Sequence, residues 1–247
     1  MTRIQKEDEG MTICPIAHFR SPLKSKFGIP RQSGLANSLE GVIVLEPAYR
    51  HPEALRGLED FDFLWLIWEF SANQNEKEES QSGTRTEHLT VRPPLLGGNI
   101  RMGVFATRSP FRPNRLGLSS VRLHHIDWEG ADGPLIHVTG ADLMDNTPIY
   151  DIKPYLTYAD SHPDARSGFT DHHQWEKLTV FIPEEIRAAL SPQDQQALQE
   201  ILELDPRPHY QDDPDRIYGF TFNDKDYHFR VRKGVVEVLS SQIISKK

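Results

Sequence analysis

The feature that most constrains this chain is a succession of short β-forming runs, broken by proline and glycine, with almost no helical pattern between them. They fall at residues 13–19, 41–45, 61–70, 101–107, 119–128, 135–139 and 147–152. Only residues 52–58 read as a short helix. Strands without regular crossover helices cannot build a doubly wound parallel sheet, so the pattern predicts a barrel or a sandwich. A glycine-rich strand-to-helix fingerprint is also missing, which argues against an ordinary dinucleotide site.

After residue 160 the pattern changes. Residues 161–174, with Pro163, Gly168 and His172-His173, read as a linker to a second unit. Helical patterns follow at 184–190 and 192–204, the second capped by Ser191 and opened by Pro192. Residues 217–222, the turn 223–226, residues 227–232 and residues 235–239 then read as a small antiparallel meander. The fold class expected is α+β: a mainly β-barrel amino-terminal domain over 11–160 and a small α+β carboxyl-terminal domain over 175–242. Residues 71–87 are almost free of apolar side chains and read as a flexible surface loop.

Charge is distributed unevenly. Residues 88–126 contain no acidic side chain but carry Arg92, Arg101, Arg108, Arg112, Arg115 and Arg122. Residues 10–39 are also acid-free and carry Arg20, Lys24, Lys26 and Arg31. With a net charge of −8 for the whole chain, the remainder holds about −18. An acidic body argues against a general nucleic-acid coat, while two basic windows suit one defined polyanion. Within the longer window, residues 103–119 pack arginine, proline, asparagine and glycine between apolar runs. Stiffened backbone and planar guanidinium forks make this a candidate anion cradle centred on Arg108, Arg112 and Arg115.

Other signals are exclusions. The apolar run 61–70 is too short to cross a membrane, is interrupted by Asp62 and Glu69, and reads as a buried strand. The charged amino terminus lacks a secretory core, which suggests a cytoplasmic protein. Cys14 is the single cysteine and is expected to be a buried structural thiol. His124-His125 would point to opposite faces of a strand and His172-His173 lie in the linker, so neither pair forms a metal set.

Several motifs together resemble one family. They are Pro30-Arg31-Gln32, Val91-Arg92-Pro93-Pro94 with Gly97-Gly98-Asn99, the arginine-rich segment, Asp142-Leu143-Met144-Asp145-Asn146-Thr147-Pro148, Asp151-Ile152-Lys153-Pro154-Tyr155, and Asp205-Pro206-Arg207-Pro208-His209-Tyr210. In number, order and spacing they are similar to the TsaA-like (YaeB-like) β-barrel tRNA methyltransferases. That resemblance implies S-adenosylmethionine as methyl donor, N6 of N6-threonylcarbamoyladenosine at position 37 of tRNA as acceptor, and a homodimer, with neither metal nor membrane involved. By matching position it places donor binding on Pro30, Arg31, Gln32, Phe70, Ser71, Arg108, Leu118, Asp142, Leu143, Met144 and Asp145.

The tRNA side falls to Arg112, Arg115, Arg207 and Tyr210, and Asp205 and Tyr210 are candidates for removing the N6 proton. The chain departs from the family pattern at Asn146, where glycine is common, and at Arg115, where proline is common. Asparagine tolerates the left-handed backbone that glycine favours, so the turn at 146 is expected to survive. Arg115 adds a positive charge beside the site. The alternatives are a noncatalytic nucleotide- or RNA-binding barrel, and a methyltransferase acting on another acceptor.

Overall fold

The computed structural model describes residues 11–72, 89–173, 176–207 and 213–244. Its first eight strands are β1 Ala17–Arg20, β2 Glu40–Leu45, β3 Phe63–Glu69, β4 Thr90–Val91, β5 Met102–Gly103, β6 Leu116–Asp127, β7 Leu135–Thr139 and β8 Thr147–Pro154. Six of them close into an antiparallel barrel in the order β1-β2-β7-β6-β3-β8, with β8 pairing back onto β1. Strands β4 and β5 form a separate two-residue ladder. Closure leaves the barrel without an open edge.

Alternation of side chains explains the barrel core. Along β3, Leu64, Leu66 and Trp68 are buried while Phe63, Trp65, Ile67 and Glu69 are only partly covered. The run at 61–70 is therefore half-buried, with one face inward, and not buried on both faces. Phe19, Ile43, Ile136, Leu143 and Ile149 complete the interior from other elements. Gly41 is sterically required there: a Cβ would lie 2.2 Å from the Phe19 ring.

Several expectations need correction. The run at 101–107 is a strand only at Met102–Gly103, because a 3₁₀ turn follows at Val104–Ala106. Thr107 closes that turn by donating both its amide and its hydroxyl to the Val104 carbonyl. The helix expected at 52–58 is a 3₁₀ turn, Pro52–Leu55, followed by Gly57 with φ of +82°. Cys14 is exposed, since it lies in irregular chain ahead of β1. A bulge in the β6–β7 pairing between Leu123 and His125 breaks the alternation, so His124 and His125 are both exposed and their Nδ1 atoms are 3.1 Å apart. Of the surface loop expected at 71–87, residues 73–87 lie outside the described residues.

The second unit begins after α1, Thr157–Asp160, and contains β9 Thr179–Phe181, α2 Glu184–Arg187, α3 Pro192–Glu203, β10 Tyr218–Phe222, β11 Lys225–Arg232 and β12 Val235–Ile243. Ser191 caps α3 by accepting from the Asp194 amide. Asn223 and Asp224 take φ of 48° and 57°, the left-handed pair that a tight β10–β11 hairpin needs. The meander is present and gains β9, which pairs parallel to β12.

The two cores meet in one connection. Leu23, Ala36 and Leu39, from the chain between β1 and β2, are buried against Leu198, Leu202, Phe220 and Phe229 of the second unit. Burying a leucine contributes about 1.5–3 kcal/mol, so this connection anchors the second unit to the barrel. It also carries Arg31 to the junction.

Candidate functional site

A cavity of about 460 Å³ opens at one end of the barrel. Its walls are the β1–β2 connection, the end of β3, the start of β6, the arginine-rich loop and the turn before β8. Of the residues matched to donor binding, Pro30, Arg31, Gln32, Phe70, Ser71, Arg108, Leu118, Asp142 and Met144 line it. Arg112 lines it as well. Two matched residues face elsewhere. Leu143 is fully buried in the barrel core, because its neighbours in the turn take the cavity side. Asp145 accepts from the Ser21 amide at 2.9 Å and fixes the turn itself. Asn146 adopts φ of 60°, so the asparagine keeps the turn as expected.

The most developed feature is a buried hydrogen-bond relay. The Trp68 indole Nε1 donates to Ser119 Oγ at 2.9 Å, and Ser119 Oγ donates to Asp142 Oδ1 at 2.5 Å. Ser119 is 1% exposed. Burial raises the Asp142 pKa above the ordinary aspartate range, although the Ser119 hydroxyl and the nearby Arg108 charge both favour the carboxylate. Trp68 stands opposite Gly117, where a Cβ would come within 2.3 Å of the indole. A bulge between Ile67 and Trp68 in the β3–β8 ladder shifts the register at this same point. Sequence reading missed Trp68, Gly117 and Ser119. The only signal was a glycine and a serine alternating on a strand otherwise apolar in that phase.

The arginines divide into different roles. Arg108 donates to Gln32 Oε1 at 2.6 Å, joining the loop to the β1–β2 connection. Arg112 Nη1 donates to the Thr107 carbonyl at 3.1 Å, which ties the loop to itself. Arg115 pairs with Glu69 Oε1 at 2.9 Å, its side chain 20% exposed. Tyr150 donates to the other oxygen of Glu69 at 2.7 Å, and burial with this contact pushes the phenol up to about 12. The added positive charge is thus neutralised where it stands. Arg31 donates to the Leu204 and Asp205 carbonyls at 2.9 and 3.0 Å, meeting the negative end of α3. Burial lowers its pKa, and Asp205 opposes that shift.

Asp205 and Arg207 line a second cavity, about 620 Å³, at the junction of the two units. Arg207 meets the Asp205 carboxylate through Nε at 2.8 Å and Nη2 at 2.9 Å, so the carboxylate proposed as a base is held in a two-pronged ion pair. Tyr210 lies outside the described residues. Lys26, Ile29, Pro30 and Arg31 border both cavities. Among the described residues, no group of three or more His, Cys, Asp or Glu side chains could hold a metal, and no helix is long and apolar enough to cross a membrane.

A closed six-stranded barrel with a cavity lined by Asp142, joined to a small α+β unit that shares a second cavity with it, defines a two-unit, mainly β protein. The chain matches the model of the tRNA-methyltransferase O N-terminal domain over residues 18–161, and that of the TrmO C-terminal domain over residues 175–243. It belongs to the tRNA-methyltransferase O family. Over 233 residues it is 38% identical to the tRNA (adenine(37)-N6)-methyltransferase of Escherichia coli strain K12, covering 91% of this chain and 95% of that protein. It is 39% identical to a putative S-adenosylmethionine-dependent methyltransferase, RcsF, of Pseudomonas aeruginosa, covering 92% and 96%. The crystal structure of TrmO from Pseudomonas aeruginosa superposes with a TM-score of 0.70 at 31% identity, covering 94% of this chain and 98% of that one.

Proposed function

We propose that this chain is an S-adenosylmethionine-dependent tRNA (adenine-N6)-methyltransferase that acts on N6-threonylcarbamoyladenosine at position 37 of tRNA in the cytoplasm. Family membership and near full-length kinship to a tRNA (adenine(37)-N6)-methyltransferase support the reaction class. The half-buried Asp142 carboxylate lining the first cavity is the observation that carries the assignment of the donor site.

The residues fit the donor's chemistry. Asp142 is an acceptor for ribose hydroxyls or an ammonium group, and its negative charge favours a cationic ligand. Arg108 is placed to pair with a carboxylate. Phe70, Leu118 and Met144 supply apolar walls. When bound, S-adenosylmethionine supplies an electrophilic methyl group on a sulfonium sulfur. The chain's contribution is positioning and exclusion of water, an effect that lowers such barriers by about 7–11 kcal/mol in favourable cases. The Trp68–Ser119 relay keeps Asp142 oriented, and the Arg108–Gln32 bond holds the cavity wall.

Arg112 and the junction residues Arg207 and Asp205 are assigned to the tRNA side, with Tyr210 as the stacking residue. The homodimer belongs to the same reading. Phe105 is 75% exposed and Phe111 51% exposed on the arginine-rich loop, apolar surface suited to a second copy. Incubation of the purified protein with S-adenosylmethionine and threonylcarbamoylated tRNA, followed by nucleoside mass spectrometry, tests the function. One added methyl on the threonylcarbamoylated nucleoside is expected. No gain on that nucleoside, with tRNA and donor intact, would overturn the proposal.

A further inference from the structure

We infer that the second cavity is the acceptor-base subsite, and that Lys26 and Arg92 bind the anionic substituent of the modified adenine. This rests on the methyltransferase reading above. Methyl transfer needs the acceptor nitrogen about 3–3.5 Å from the methyl carbon, so the acceptor must occupy space that opens onto the donor cavity. The second cavity borders the first, sharing Lys26, Ile29, Pro30 and Arg31 as lining residues. Its volume of about 620 Å³ falls within the range of small-molecule sites.

The charges select the ligand. The arginines of the first cavity are committed there: Arg108 bonds Gln32 and is assigned to the donor carboxylate, Arg112 bonds backbone carbonyls of its own loop, and Arg31 bonds the end of α3. In the second cavity the Arg207 guanidinium is matched by the Asp205 carboxylate. Lys26 and Arg92, both exposed cavity-lining cations, have no acidic partner among the described residues. Arg92 lines only the second cavity and Lys26 lines both. An oxyanion at the second cavity therefore meets two uncompensated cations.

The glycines of the segment that carries Arg92 suit a flat ligand. Gly97 and Gly98 both take φ of +70°, and a Cβ on either would meet nothing within 4 Å. The conformation calls for glycine, and without side chains there a planar base can approach the backbone. Phe27, whose ring packs against Tyr218 and Phe229, also lines the cavity.

An oxyanion at this position comes either from the carboxylate of the modified base or from a tRNA phosphate. The geometry favours the first, because the site borders the donor cavity, where the reacting base must lie. Calorimetry with free N6-threonylcarbamoyladenosine, at saturating S-adenosylhomocysteine, separates the two, with adenosine as control. Wild-type protein is expected to bind the modified nucleoside at least tenfold more tightly than adenosine. Arg92→Met should remove most of that preference, leave adenosine affinity and the Kd for S-adenosylhomocysteine unchanged, and keep the melting temperature. Arg92→Lys should restore part of the preference.

In a parallel filter-binding assay, Arg92→Met should weaken threonylcarbamoylated tRNA and spare unmodified tRNA. Equal losses for both tRNAs would identify a phosphate contact and overturn the inference. So would an unchanged nucleoside preference in both Arg92→Met and Lys26→Met. Methylation of modified tRNA by a wild-type protein with no nucleoside preference would sink this subsite and leave the enzyme reading standing. No methylation at all would remove both.

Discussion

The two cavities share a wall yet are built on opposite principles. In the first, polar groups are locked to one another: Trp68 to Ser119 to Asp142, Arg108 to Gln32, and Arg115 to Glu69 behind the wall. In the second, Lys26 and Arg92 stand without acidic partners among the described residues, and the walls come from two separately cored units. A site preorganised by its own hydrogen bonds suits a small ligand of fixed shape. A site with uncompensated charge suits an anionic substituent that completes the neutralisation when the modified base enters. The difference separates the reactants by the physics of their pockets.

The largest effect that would sharpen this contrast is expected from Asp142→Asn. Losing a charge-assisted contact of about 1.5–3 kcal/mol should weaken S-adenosylmethionine about 10- to 100-fold by calorimetry. Threonylcarbamoyladenosine affinity should not change. Because the folded-state pKa of Asp142 is raised, the folded protein holds its proton to higher pH than the unfolded chain does. Stability from this group is present below the unfolded pKa and declines as pH rises through the folded one. Thermal melting at neutral pH should therefore show Asp142→Asn no less stable than wild type. A large loss of stability with unchanged donor affinity would make Asp142 a structural residue.

Arg115→Ala comes next. Leaving the mostly buried Glu69 carboxylate without its guanidinium should cost about 2 kcal/mol in urea unfolding. Affinity for tRNA should remain near wild type, since the Arg115 guanidinium is mostly buried and paired with Glu69. A salt-dependent loss of tRNA binding without destabilisation would return Arg115 to the RNA side.

Ser119→Ala is expected to have a smaller effect, about 1–2 kcal/mol, because it leaves the Trp68 indole N–H unpaired and frees the Asp142 carboxylate. A positioning role predicts more than lost stability. The pH below which donor binding weakens should rise relative to wild type, since the Ser119 hydroxyl favours the ionised carboxylate. An unmoved pH profile would reduce Ser119 to packing. The smallest effect belongs to Cys14→Ser, expected to change stability by less than about 0.5 kcal/mol because the thiol is exposed ahead of β1.

The same contrast explains what the sequence made legible. Barrel strands such as β3 and β7 announce themselves through period-two alternation, which is local information. The Ser191 cap and the Asn223-Asp224 turn are local too, and all of these were readable. The Asp142 relay was not, because its members lie 51 and 23 residues apart along the chain and meet only after closure of the barrel. Arg31 reaches α3 across 173 residues, so its role as a strut between units had no local signal. Residues 142–145 were matched as one block, but the turn sends Leu143 into the core and spends Asp145 on a backbone amide. His124 and His125 were misread because a bulge overrides alternation.

The most direct test is a crystal structure containing S-adenosylhomocysteine and N6-threonylcarbamoyladenosine together. The account predicts S-adenosylhomocysteine in the first cavity beside Asp142 and Arg108, and the modified base in the second with its carboxylate on Lys26 and Arg92. Its N6 should point into the first cavity beside the shared Lys26–Arg31 border, within one methyl group of the donor sulfur. S-adenosylhomocysteine in the second cavity, or the modified base bound away from both Lys26 and Arg92, would contradict the division of the site.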